Sequence, residues 1–243
     1  MANKNPEPGL PPKRALGKHL LPPLSSRRAS ARRGVLPTLP HAVGFDPLLA
    51  FPPAPRSQEV SRPPEPREFC FGGQAHILRP LVPADEGRLI AFFKSHTAET
   101  IRQRYGYQIS EMTHERALRL VDVDQTRDVA LGVFEPTAEG GEVLNAVGRY
   151  WLDPAGKTAE MAFVVRENRR GLGICSTLLR LLLQIARARG MGYLSAQVQA
   201  DNAPMLSIFR RHGGRARPIP GADAMEVFVP TGSPSDAKST RLP

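Results

Sequence analysis

The stretch that decides the reading is Phe163-Val164-Val165-Arg166-Glu167-Asn168-Arg169-Arg170-Gly171-Leu172-Gly173-Ile174-Cys175. An apolar run gives way to a polar turn, two glycines and then a strongly periodic segment. Ile174, Leu178, Leu181, Leu182 and Ile185 recur at helical spacing, which predicts a helix over 173–190 stopped by Gly190. The first amides of such a helix have no carbonyl partner inside it and carry a partial positive charge. Gly171 and Gly173 place no Cβ in front of them, so an anionic group can come close. The pattern suits a pyrophosphate, with Arg166, Arg169 and Arg170 gathered at the helix mouth. A P-loop needs Lys followed by Ser or Thr after its glycines, and that is absent. A dinucleotide fingerprint needs a third glycine where Ser176 stands and an acid about 20 residues on, and 190–199 contains none. A glycine-rich turn that binds nothing is the plainer alternative.

Working outward, Ala159–Val165 reads as a strand buried on both faces, with Glu160 its lone acid. Val129–Glu135 and Val143–Leu152 are further strands, separated by a turn at Glu139-Gly140-Gly141. Asp153-Pro154-Ala155-Gly156 is a second turn. Further back, order begins with a strand at His76–Arg79. Pro83-Ala84-Asp85-Glu86 starts a helix, Glu99–Tyr105 is a second, and a third begins at a Thr113 cap. On the other side lie a strand at Tyr193–Gln199, a helix capped by Asn202 and ended at Gly213-Gly214, and a last strand at Met225–Val229. The expectation is an α/β (α+β) domain over 69–230, with a mixed central sheet flanked by helices.

Residues 1–68 read differently. Fourteen of the 25 prolines precede Glu65, and residues 1–64 carry seven of the ten formal positive charges. This composition predicts a disordered Pro/Arg-rich arm, and 231–243 a short disordered tail. The pI of about 10.3 therefore belongs to the arm, and no specific nucleic-acid partner is expected from it. Ser26-Arg27-Arg28 is not followed by the apolar run of an export signal, and no run approaches a membrane span. Two cysteines far apart show no metal-ligand spacing, and a reducing, cytoplasmic location is the default.

Arg170-Gly171-Leu172-Gly173-Ile174-Cys175 resembles the acetyl-CoA signature Gln/Arg-x-x-Gly-x-Gly/Ala of the GNAT acetyltransferases, followed by Leu178-Leu179. From about Ile77 to Val229 the chain is similar to bacterial Pat-type protein lysine acetyltransferase domains. Leu118–Asp124, Arg127–Leu131, Ala159–Val165, Ile185–Gly190, Asp201–Leu206, Phe209 and Gly213 carry the likeness. The resemblance implies a GNAT fold, acetyl-CoA as cosubstrate without a metal, and an amine acceptor, a protein lysine or a small amine. It implies a cofactor-binding set of Phe163, Val165, Arg170, Gly171, Gly173, Cys175, Ser176 and Asn202. A main-chain N–H around Phe163–Val165 would face the thioester oxygen where the next strand splays away.

Glu160 is the candidate catalytic base, because only a neutral amine attacks a thioester and burial would raise a carboxyl toward the working range. A salt-bridged acid at a strand start is the alternative, and His96 and His212 are further candidates. The chain departs from the family pattern twice. Cys175 replaces Gly or Ala, either as an inert filler or as a thiol of lowered pKa at a helix N-terminus. Phe209 stands where many relatives place a Tyr that protonates the leaving thiolate. These departures keep a second function open, a non-catalytic CoA sensor on the same fold.

Overall fold

The computed structural model describes residues 64–105, 111–152 and 159–232. The arm through 63, the turn expected at Asp153–Gly156 and the tail from 233 lie outside the described residues. Eight strands form one sheet within them: β1 (Arg67–Phe71), β2 (Gln74–Pro80), β3 (Val129–Pro136), β4 (Glu142–Leu152), β5 (Ala159–Val165), β6 (Tyr193–Gln199), β7 (Arg215–Pro218) and β8 (Ala224–Pro230). Five helices accompany them: α1 (Glu86–Lys94), α2 (Ala98–Tyr105), α3 (His114–Val121), α4 (Ile174–Ala188) and α5 (Ala203–Arg211). The spatial order is β1-β2-β3-β4-β5-β6-β8-β7, antiparallel throughout except between β5 and β6. This is the mixed sheet expected from sequence.

Alternation along the strands sends side chains to two cores. Val129, Leu131, Val133, Ala159, Met161, Leu194, Ala196 and Val198 meet α4, whose Ile174, Leu178, Leu182 and Ala186 are fully buried. The opposite face takes Ala130, Phe134, Val147 and Val164 against Leu89, Phe92 and Phe93 of α1 and Ala117, Leu120 and Val121 of α3. Because α4 packs on β3, β4, β5 and β6, it holds together strands on both sides of the parallel junction.

Two edge strands were not expected. β1 pairs with β2 through a two-residue turn, Gly72-Gly73, with φ of 58° and 80°. Both residues are left-handed, the conformation that matches strand twist in a tight hairpin, and glycine adopts it without strain. At the other edge all four residues of β7 are exposed, so no apolar alternation marks it. Charge and proline there (Arg215, Arg217, Pro218) keep the open edge from pairing with another chain.

Candidate active site

β5 and β6 run parallel but are bonded at one position, Glu160 against Ser195. Beyond it the strands part, while β5 stays paired with β4 through to Val165. Arg166 donates its N–H to Asn145 O on the β4 side at 2.9 Å. Antiparallel alternation then turns the N–H groups of Phe163 and Val165 away from β4, into the wedge between β5 and β6. The wedge is lined on one face by Phe163, whose ring meets Phe209 of α5 edge-on at 6.1 Å.

α4 begins at the C-terminal end of β5. Its cap residue Gly173 is left-handed (φ 85°) and supplies no side chain, and Gly171 before it has φ of 78°. A Cβ built on either glycine meets no atom within 4 Å, so open space faces the loop. Thr177 N–H is the first to close onto the loop, bonding Gly173 O at 3.0 Å, which leaves the amides of Ile174, Cys175 and Ser176 directed out of the helix start. A left-handed glycine pair, uncapped amides and empty space together fit a pyrophosphate.

The three arginines do not gather on that space. Arg169 forms a two-pronged pair with Glu135 of β3 (2.7 and 3.0 Å), and Arg166 donates to Leu144 O and lies over the Phe92 ring. Arg170 remains beside the loop, but its guanidinium donates to Thr100 Oγ1 (2.5 Å) and Val165 O (3.4 Å). The amide cradle is therefore main-chain in character. Asn202 caps α5, its Oδ1 accepting from Met205 N–H at 3.2 Å. Cys175 turns toward Met205, sulfur to sulfur at 3.7 Å, and burial pushes its thiol up to about 12. Of the two readings of Cys175, this placement favours the buried filler, because loss of solvation disfavours the thiolate. Phe209 is buried.

Glu160 sits at the one rung joining β5 to β6, facing away from the α4 core. It is half-buried and accepts no hydrogen bond from any described residue, nor does it form an ion pair with one. Burial drives its carboxyl from the ordinary 4.5 to about 7, opposed by the positive charge of Arg104 on α2 and reinforced by Glu226 on β8. Arg104 and Glu226 are the site residues that sequence reasoning missed. Neither lies near the signature, and no local pattern singles them out. His96 and His212 are not drawn to Glu160. His96 is buried against Glu167 at 3.2 Å, with burial lowering its pKa, and His212 contacts Ile208 O. Among the described residues no His, Cys, Asp and Glu cluster to hold a metal.

Residues 99–213 match the model of the acetyltransferase (GNAT) family. The GNAT domain of S. lividans PAT superposes with a TM-score of 0.60 at 21% identity, covering 72% of this chain and 99% of that domain. The described domain has the GNAT fold, and residues 99–213 carry the likeness to that family's sequences. Acetyltransferase Pat of Mycolicibacterium smegmatis is 30% identical over 160 residues, which are 65% of this chain and 47% of that relative. Mycothiol acetyltransferase of Clavibacter michiganensis is 35% identical over 85 residues, 35% of this chain and 26% of the relative. The chain thus spans less than half the length of these curated GNAT relatives. A ribosomal L7/L12 alpha-N-protein acetyltransferase in complex with coenzyme A shares the fold, with a TM-score of 0.54 at 15% identity over 67% of this chain. Among the described residues no helix is long and apolar enough to cross a membrane.

Proposed function

We propose that this chain transfers an acetyl group from acetyl-CoA to a primary amine, with a protein lysine as the favoured acceptor and a cytoplasmic site of action. One observation carries the reading. Glu160 is a half-buried carboxyl with no hydrogen-bond or ion-pair partner among the described residues, held at about 7, at the rung where a wedge opens beneath an uncapped helix start. Glu135 and Asp85, by contrast, are each paired with an arginine.

Acetyl-CoA would supply the acetyl group as a thioester. The amides of Ile174, Cys175 and Ser176, with Gly171 and Gly173, would hold the pyrophosphate, and Arg170 and Asn202 would order the walls on either side. The N–H of Phe163 or Val165, turned into the wedge, would donate to the thioester oxygen as negative charge grows there. Glu160 takes the proton of the arriving ammonium. A value near 7 suits this role, since the carboxylate is populated at neutral pH yet is a far better base than an exposed glutamate. The departing thiol needs no protein acid, because a thiolate of pKa ~8.5 leaves readily near neutrality, and Phe209 can donate no proton.

Thiol release from acetyl-CoA, measured with an amine panel and with cell lysate, tests the proposal. Glu160→Gln should lower kcat by roughly 10²-fold or more, with CoA affinity nearly unchanged. Equal losses of binding and turnover would show Glu160 to be structural. CoA binding with no transfer to any amine or lysate protein would favour the sensor reading, to which the Phe209 departure points.

A further inference from the structure

The start of α2 is tied to the signature loop by a dense polar junction. Glu167, in the single turn between β5 and the glycines, accepts hydrogen bonds from Thr97 N–H (2.9 Å) and Thr97 Oγ1 (3.1 Å) and meets His96 Nδ1 at 3.2 Å. Arg170 reaches the same place, donating to Thr100 Oγ1 at 2.5 Å and lying 3.9 Å from Glu167. Thr97 and Thr100 are themselves joined at 3.2 Å. Thr97 Oγ1 caps α2 by accepting from Thr100 N–H at 3.3 Å, and Glu167 accepts the N–H of that cap residue. Burial opposes ionisation of Glu167, but hydrogen bonds from Thr100, Thr97 and His96 hold its pKa far below the ordinary value.

His96 completes the junction. Its side chain is fully buried, its ring packs edge-on to Phe92 at 4.4 Å, and among the described residues Nε2 has no hydrogen-bond partner. That suits a neutral ring with its proton on Nδ1, donating to Glu167. A second proton would strand a buried N–H beside the positive charges of Arg166 and Arg170.

From this anchored start α2 packs against β5, and its last turn lies beside Glu160. Arg102 in its middle pairs with Asp201, at the start of the turn after β6, at 3.2 Å. Arg104 near its end sets its charge against Glu160. Glu160 is otherwise flanked by Trp151 of β4 and Ser195 of β6 across the ladder, and by Glu226 of β8.

We infer that Glu167 is a positioning residue that locks α2, the acceptor-side wall beside Glu160, to the glycine loop that takes the cofactor. The role of that wall rests on the proposed acyl transfer, whereas the lock itself does not. The arrangement links the two halves of the site. A loop displaced by the wrong cofactor, or by none, releases the wall that shapes the acceptor entrance. It assigns a task to Arg170 other than direct phosphate contact, namely holding Thr100.

Hydrogen exchange on the full chain, without any ligand, tests the lock. In Glu167→Ala the amides of 98–105 should exchange roughly tenfold faster or more, with those of α4 unchanged. Glu167→Gln keeps the accepting oxygen and should recover part of the protection. In transfer assays Glu167→Ala should raise acceptor KM, leave CoA affinity within about threefold, and move the acidic limb of the pH profile to higher pH. The last shift follows because Arg104 holds the Glu160 value down and would move off with α2. Unchanged exchange in α2, or an acidic limb that stays put while KM rises, would overturn the inference. A wild-type protein without transfer activity would remove the proposed function, and exchange alone would then decide the lock.

Discussion

Replacing Glu160 by Gln should raise the melting temperature at pH 8 while removing most turnover. In the unfolded chain the carboxyl titrates near 4.5, and in the folded protein near 7. Between these values the folded state binds the proton more tightly, so stability falls as pH rises through the window. Above about pH 7 the full cost of holding a buried carboxylate is present. At about 1.36 kcal/mol per pH unit, the gap from 4.5 to 7 sets a ceiling near 3.4 kcal/mol. Glu160 is only half-buried and water reaches it, so about 1–2 kcal/mol is the expected gain from a neutral amide of the same shape. For a domain of this size that is about 3–6 °C. Scanning calorimetry of both proteins at pH 4.5 and pH 8 reads it directly: the difference should be large at pH 8 and small at pH 4.5. A gain equal at both values, or a loss at pH 8, would refute the claim that burial of this carboxyl is what tunes it.

Other consequences can be measured as readily. Gly173→Ala should weaken CoA binding by calorimetry and lower stability by about 1 kcal/mol, since alanine is strained at φ 85° and its methyl would enter the open cradle. Arg169→Ala should cost about 1–3 kcal/mol in urea unfolding, because Glu135 would keep a half-buried charge without its partner, and CoA affinity should stay within about threefold. Iodoacetamide at pH 8 should modify exposed Cys70 and spare Cys175, so intact mass should show one adduct on the native chain and two after unfolding.

The elements that build the wedge were legible because burial writes itself into apolar pattern. β5 and β6 fall on the expected limits, and α4 within two residues of its own. The unusual place of Glu160 in an apolar strand was equally visible. What could not be read was where side chains travel. Arg166, Arg169 and Arg170 are neighbours in sequence, yet Arg169 finds Glu135 on β3 and Arg166 finds a carbonyl on β4, partners set by the sheet order. The Cys175 thiol was open between two states because its helix position argues for the thiolate while its direction, under α5, decides for the thiol. β1 left a usable signal, the alternating Arg67–Phe71 beside Gly72-Gly73, which is a hairpin turn in composition. β7 left none, since a fully exposed edge strand of four residues has no buried face to mark.

The solitary rung between β5 and β6 makes the slot an elastic one. Its width is governed less by hydrogen bonding than by the rod laid over both halves, so trimming Leu182 in the middle of α4 should do more than open a void. It would let the two halves drift relative to each other, and grip on a slender ligand would slacken from a position that never touches it. Robustness of the core and snugness of the crevice are here one mechanical property.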